Sequence, residues 1–229
     1  MTVQRLGTID ADVFTLALDD LRLQALAGDD RIFHSGLRAV IDAGDGDDIV
    51  AIGGGSAQVF GGAGADRLTM RSASGRLDSG AGNDWLDIAN SLATVATGDG
   101  DDVLRASAGR YVVDAGAGAD VLTVNFSQAQ ITTGAGGDRV SISDGELRLD
   151  TGADNDAVSI VRVAGAVKLG AGADTLSAQD SKLSIDCGGG ADSVSLTGCE
   201  GIVEGADGDD RLTVRGGNCT LRGGAGNDR

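Results

Sequence analysis

The chain has 229 residues, 39 of them Gly and none Pro, and aromatic side chains make up 3%. Gly at more than twice its average share of roughly 7%, without Pro, excludes collagen and Pro-rich linkers and marks a chain that turns often and in register. The net charge of −17, from 35 acidic residues against 18 basic, argues against a nucleic-acid partner, because phosphate binding needs Lys and Arg, and allows a hard cation, which takes oxygen ligands.

The N-terminal run Met1-Thr2-Val3-Gln4-Arg5-Leu6 lacks the basic and then apolar order of a cleaved signal peptide. No stretch reaches the ~18 apolar residues of a membrane helix. From Asp12 onward an Asp recurs every 18 residues, at positions 12, 30, 48, 66, 84, 102, 120, 138, 156, 174, 192, 210 and 228. A fixed period of this length is the signature of a repeat architecture. The first two repeats, at Asp12 and Asp30, lack the full pattern, so residues 1–40 are expected to form capping coils and residues 41–229 the regular array.

Within the regular array each turn Asp has Gly two residues before it, except at Asp154, and Gly four before it, except at Ala206. Two residues after the Asp the side chain is always large and apolar, from Phe14, Ile32 and Val50 through Leu68, Leu86 and Leu104 to Leu212. Four after, it is mostly apolar, as at Ile52, Met70, Ile88, Val124 and Leu196. Eleven after, it is again aliphatic in every repeat, as at Val59, Leu77, Val95, Ile131 and Val203. Alternation with a period of two is that of a strand with one buried face, and the residue eleven after belongs to a second strand. Each repeat therefore reads as turn, strand, turn, strand. The fold class is all-β: a parallel β-roll or β-solenoid with 18 residues per coil and about 12 to 13 coils, stacked about 4.8 Å apart by parallel pairing, each coil touching only its neighbours.

Gly serves where the backbone takes positive φ or makes a close approach. Two Gly two apart make a tight turn whose carbonyls can point inward, and the Asp adds a carboxylate. Stacked turns then line each gap with oxygens from two coils, a site for a hard cation of the calcium kind. The metal-free alternative is a set of hydrogen-bonded Asx turns.

The run Gly61-Gly62-Ala63-Gly64-Ala65-Asp66-Arg67-Leu68-Thr69 resembles the RTX, or haemolysin-type, calcium-binding nonapeptide Gly-Gly-x-Gly-x-Asp-x-(large apolar)-x, which it matches at every defined position. Most other turns match all but the first Gly, replaced by a small residue such as Ala43, Ser79, Ala115 or Thr133. The resemblance implies a parallel β-roll with calcium between successive coils. It carries the ligand Asp onto Asp48, Asp66, Asp84, Asp102, Asp120, Asp138, Asp156, Asp174, Asp192, Asp210 and Asp228. The turn Gly of the same sites are Gly44, Gly46, Gly62, Gly64, Gly80, Gly82, Gly98, Gly100, Gly116, Gly118, Gly134, Gly136, Gly170, Gly172, Gly188, Gly190 and Gly208.

Nonapeptides of that family usually run in tandem, but here every second nine-residue unit has lost the motif, as in Thr69–Leu77, Thr123–Ile131 and Ser177–Ile185. Calcium is therefore expected along one edge only. The eleven motif turns leave ten gaps, and ten Ca²⁺ would take the charge from −17 to +3. The Asp ladder is thus neutralised by up to about ten ions, and the thin core makes folding calcium-linked. Free cytosolic calcium is too low for sites of 10⁻⁴–10⁻³ M affinity, which places the protein outside the cell, as a structural or spacer module. The runner-up reading is a metal-independent scaffold that stacks end to end through an open edge of its last coil.

The remaining signals are weaker. Cys187, Cys199 and Cys219 form no metal or disulfide framework and read as small interior residues. His34, the single His, falls at an inward position of an early coil. The outward residue three after the Asp is Thr123, Ser141, Ser159, Ser177, Ser195 and Thr213 in six successive repeats, read as a solvated hydroxyl face. Asp recurs six before the turn Asp in alternate coils, at Asp42, Asp78, Asp114, Asp150 and Asp186. Carboxylates are abundant but periodic, whereas an active site is singular. The chain reads as no enzyme.

Overall fold

The computed structural model describes residues 3–229, and every regular element among them is a β-strand. The chain divides into two compact units, Met1–Gly116 and Ala117–Arg229, and both are parallel β-solenoids built from coils of 18 residues.

In the first unit a short strand starts one residue after the turn Asp and a longer one follows after a two-residue turn. Ile49–Gly53 and Ser56–Ala63 make one coil, Arg67–Arg71 and Ser74–Ala81 the next, Trp85–Ala89 and Leu92–Asp99 the one after. Each strand pairs in parallel with its equivalent 18 residues on: Ile49 with Arg67, Arg67 with Trp85, Ser56 with Ser74, Ser74 with Leu92. The same offset holds before residue 41, where Val3 pairs with Leu21, Val13 with Arg31 and Asp20 with Arg38. In the second unit the two strands of a coil often run together, as in Arg139–Ala153, Ser193–Asp207 and Arg211–Ala225, with the same register.

Period two decides which side chains meet inside. Val50 and Ile52, Leu68 and Met70, Leu86 and Ile88 point inward from the short strands and are buried, as are Val59, Leu77 and Val95 from the long ones. The long strand adds an inward column nine after the Asp: Ala57, Ala93 and Tyr111 in the first unit, Ala129, Leu147 and Leu183 in the second. Tyr111 fits because Gly109 of its own coil has no side chain to collide with the ring, and the phenol donates to the Ser107 carbonyl at 2.6 Å.

From Asp48 onward the edge opposite the turn Asp turns through a left-handed residue six after the Asp. It is Gly54 (φ 91°), Ser72 (52°), Asn90 (53°) and Ala108 (52°) in the first unit, and Phe126 (51°), Asp144 (56°), Arg162 (54°), Asp180 (50°), Gly198 (64°) and Gly216 (69°) in the second. Non-Gly residues take this conformation singly, at a cost of roughly 1–2 kcal/mol each, and this edge carries no Gly-x-Gly-x-Asp pattern.

The outer faces carry charge pairs across coils. Arg162 bonds Asp144 through two nitrogens at 2.7 and 2.8 Å, Arg38 meets Asp20 at 2.9 Å, and Lys168 meets Asp150 at 3.3 Å. The Asp150–Lys168 pair gives the alternation of residues six before the turn Asp a structural use, because opposite charges on adjacent strands attract and like charges repel.

Candidate metal edge

The turn Asp shares the strand's phase with the apolar residues two and four after it, so it too points inward. Asp48, Asp66, Asp84 and Asp102 in the first unit, and Asp120, Asp138, Asp156, Asp174, Asp192 and Asp210 in the second, are all buried, none more than 2% exposed. Asp228 is half-buried.

One carboxylate oxygen of each is occupied by the stack. The backbone N–H of Asp48 donates to Asp66 Oδ1 at 2.9 Å, that of Asp66 to Asp84 Oδ1 at 2.8 Å and that of Asp84 to Asp102 Oδ1 at 2.8 Å. The second unit repeats the ladder from Asp120 to Asp228, with distances of 2.8 to 3.1 Å. These bonds join one coil to the next, whereas an Asx turn closes on its own turn.

In nine of the coils the other oxygen has no donor. Oδ2 is buried and unpartnered in Asp30, Asp48, Asp66, Asp84, Asp138, Asp156, Asp174, Asp192 and Asp210. Burial pushes the carboxyl of Asp66 up to about 7 and those of Asp48, Asp84, Asp156 and Asp192 up to about 6. The N–H bond from the preceding coil pulls each back and neighbouring carboxylates push it further up. The Ser79 hydroxyl beside Asp84 also lowers it, yet its single proton goes to the Thr97 carbonyl at 2.9 Å. Either a proton or a cation satisfies such an oxygen.

The turn Gly have a role that the stack alone explains. Gly62 and Gly64 take φ of 121° and 134°, and a Cβ at either would run into the carbonyl of Gly44 or Gly46 in the preceding coil. Every other Gly of the two turn positions also has positive φ. Several of the carbonyls four before the Asp are used in the ladder: the N–H of Ala171 donates to Gly152, that of Gly189 to Gly170 and that of Asp207 to Gly188, at 2.7 to 2.9 Å. Asp154 and Ala206 replace Gly and keep its left-handed backbone, with φ of 76° and 71°. The irregularity at Asp154 leaves the ladder undisturbed, since Asp138 to Asp156 and Asp156 to Asp174 both bond at 2.8 Å.

A further functional position is the residue five before the turn Asp. It drops out of the strand register, where Asp42 pairs with Phe60 and Gly44 with Gly62 but Ala43 and Gly61 are skipped, and it faces inward. Ser79 donates to the Thr97 carbonyl at 2.9 Å, Thr97 to Ala115 at 2.6 Å, Thr133 to Thr151 at 2.8 Å and Thr151 to Leu169 at 2.5 Å. Ala43, Ala115, Leu169 and Cys187 fill the same place with apolar atoms. The sequence shows this position only as the lost first Gly of the motif. Its restriction to small, hydroxyl or apolar types, in phase with the inward residue eleven after the Asp, is the signal.

Among the described residues no three His, Cys, Asp or Glu side chains converge on one point. A metal on this edge therefore rests on one or two carboxylates and backbone carbonyls. That donor set suits calcium, which accepts carbonyl oxygen and flexible geometry, and not a tetrahedral zinc site. The orphaned, buried Oδ2 atoms fit the same ion.

Groups outside this edge show no such pattern. Cys187 and Cys199 are buried and Cys219 half-buried, all as free thiols. Burial pushes Cys187 up to about 12. His34 lies in the inward column between Leu16 and Ile52, and burial lowers its pKa. In the second unit Thr123, Ser141, Ser159, Ser177, Ser195 and Thr213 do stand in register along one outer face.

A family model described as the RTX calcium-binding nonapeptide repeat, in four copies, matches residues 94–125 and 202–229. These segments contain Asp102, Asp120, Asp210 and Asp228. No curated protein matches the chain.

Proposed function

We propose, from the RTX calcium-binding nonapeptide repeats that this chain carries, that it is a non-enzymatic calcium-binding β-roll acting as a structural or spacer module of a secreted protein. The observation that carries this reading is the recurrence of a buried Oδ2 without a donor at the same place in coil after coil. Buried polar atoms without partners are few in native folds, and each calls for an explanation such as an unplaced ion. Nine of one chemistry at one position call for a common partner.

The turn Asp from Asp48 to Asp228 supply the acidic ligands, each already oriented by the N–H bond to its Oδ1. Bound calcium supplies positive charge to a ladder of like charges about 4.8 Å apart. Sites of the extracellular class work at 10⁻⁴–10⁻³ M calcium, which supports a location outside the cell. The periodic placement of the acidic groups supports a role in the stack over a role in catalysis.

Melting followed by far-ultraviolet circular dichroism tests the reading. Chelator-treated full chain is compared with the same sample in millimolar calcium. Calcium is expected to raise the melting midpoint and to strengthen the β signal. A β spectrum and midpoint indifferent to both calcium and chelator contradict it.

A further inference from the structure

The two outer faces of the first unit treat charge differently. On the long-strand face bases are paired with acids, as Arg38 with Asp20 at 2.9 Å and Arg76 with Asp78 at 2.8 Å. The outward positions of the short strands, from Arg31 to Ser107, carry Arg31, Arg67, Arg71 and Arg105 against the single acid Asp87. Asp87 bonds Arg71 and stands in register beside Arg105. Arg31, Arg67 and Arg105 make no ion pair among the described residues. Four Arg less one Asp leave a local excess of three positive charges on one face of a chain whose net charge is −17.

The coil fixes the spacing of these groups. Arg31 and Arg67 lie in one column two coils apart, about 10 Å. Arg67 and Arg71 lie on one strand four residues apart, about 13 Å. None of the four is Lys, and Arg grips a carboxylate through two N–H groups at once. Arg67 lies over the Trp85 ring, 3.8 Å from its centroid, and Phe33 is 41% exposed on the same face. The acids of the long-strand face lie about 10 Å away across the core, beyond the ~8 Å over which charges act in physiological salt. On the bordering turn, Asp29 and Asp47 each spend one carboxylate oxygen on a backbone N–H of the next coil, at 3.0 and 2.8 Å.

Spaced guanidinium groups with apolar surface between them fit an extended polymer with spaced carboxylates. A peptide fits less well. It gains affinity by adding a strand at a sheet edge, whereas the short strands Ile49–Gly53, Arg67–Arg71 and Trp85–Ala89 are already paired on both sides. Duplex nucleic acid, with a charge every ~1.7 Å, brings far more charge than this face neutralises. We propose that the short-strand face of the first unit binds an acidic polysaccharide, its carboxylates held by Arg31, Arg67, Arg71 and Arg105 and its sugar rings laid against Phe33 and Trp85. The face is separate from the calcium edge, so either reading can fail alone.

Trp85 is the single Trp of the chain, and its fluorescence reports on this face. Full chain in millimolar calcium is titrated with oligosaccharides of hyaluronate, which carry a carboxylate on alternate sugars. A saturable change in emission is expected, weakened by added NaCl and absent with the same oligosaccharides after their carboxyls are reduced to alcohols. Replacing both Arg31→Gln and Arg105→Gln is expected to weaken binding about tenfold. Arg22→Gln, which removes a cation from the long-strand face of the same unit, is expected to leave the affinity unchanged. Circular dichroism in the same buffer checks that each variant keeps the β signal. Absence of any response from the folded, unmodified chain, in emission and in titration calorimetry, overturns the proposal. So does binding that survives carboxyl reduction, or that Arg22→Gln weakens as much as the short-strand variant does. Tighter binding of a poly-glutamate peptide overturns it too, and gives the face to an acidic polypeptide.

Discussion

Replacing Asp66 by Asn separates the carboxylate's two tasks. Asn keeps an oxygen to accept the Asp48 N–H, now bonded to Oδ1 at 2.9 Å, and turns the unpartnered Oδ2 into an amide donor. Burial raises the Asp66 carboxyl from 3.8 to about 7. At 1.36 kcal/mol per pKa unit, the ionised form costs the metal-free fold about 4 kcal/mol well above pH 7. Asn removes that cost and gives back about 1–3 kcal/mol of it by burying an amide, leaving a gain of about 1–3 kcal/mol. A protein of this size shifts its midpoint by roughly 2–4 °C per kcal/mol. In chelator at pH 8, Asp66→Asn is therefore expected to melt a few degrees above the unmodified chain. In millimolar calcium the order reverses, because the variant has lost a ligand. Melting by circular dichroism in the two buffers reads both signs. A variant destabilised equally in chelator and in calcium refutes the reasoning, since the carboxylate would then serve the stack alone.

Three other outcomes follow from the same geometry. Because folding raises the pKa of Asp48, Asp66, Asp84, Asp156 and Asp192, the metal-free fold binds more protons than the unfolded chain. Its stability is thus highest near pH 4 and falls as pH rises to about 7. Calcium affinity rises over the same window, since the ligands must be deprotonated, and urea midpoints with and without calcium at pH 5 and pH 7.5 report both slopes. Gly62→Ala forces a Cβ at φ 121° into the Gly44 carbonyl and is expected to cost more than about 2 kcal/mol in chelator and calcium alike. Leu86→Ala empties a fully buried position and is expected to cost about 2–5 kcal/mol in urea unfolding at saturating calcium.

The coil was legible because three independent residue classes keep one period of 18: the turn Asp, the paired Gly, and the inward apolar residues such as Leu68, Met70 and Leu77. Strand positions followed from period two. The inward aim of the Asp was contained in the same phase, since Asp66 stands two before Leu68. It is obscured by the expectation that a charged side chain lines an exposed edge. In the sequence the Gly pattern reads as a calcium turn, with metal-free Asx turns as the alternative. Only the approach of each Gly to the preceding coil's carbonyl shows that stacking by itself demands Gly62 and Gly64.

Isothermal titration of calcium into chelator-treated full chain at pH 7.5 tests the central claim most directly. Saturable binding at submillimolar to millimolar calcium, lost progressively as turn Asp are replaced by Asn, is the predicted result. Absence of saturable heat up to several millimolar calcium, from a chain that is already folded in chelator, would contradict it.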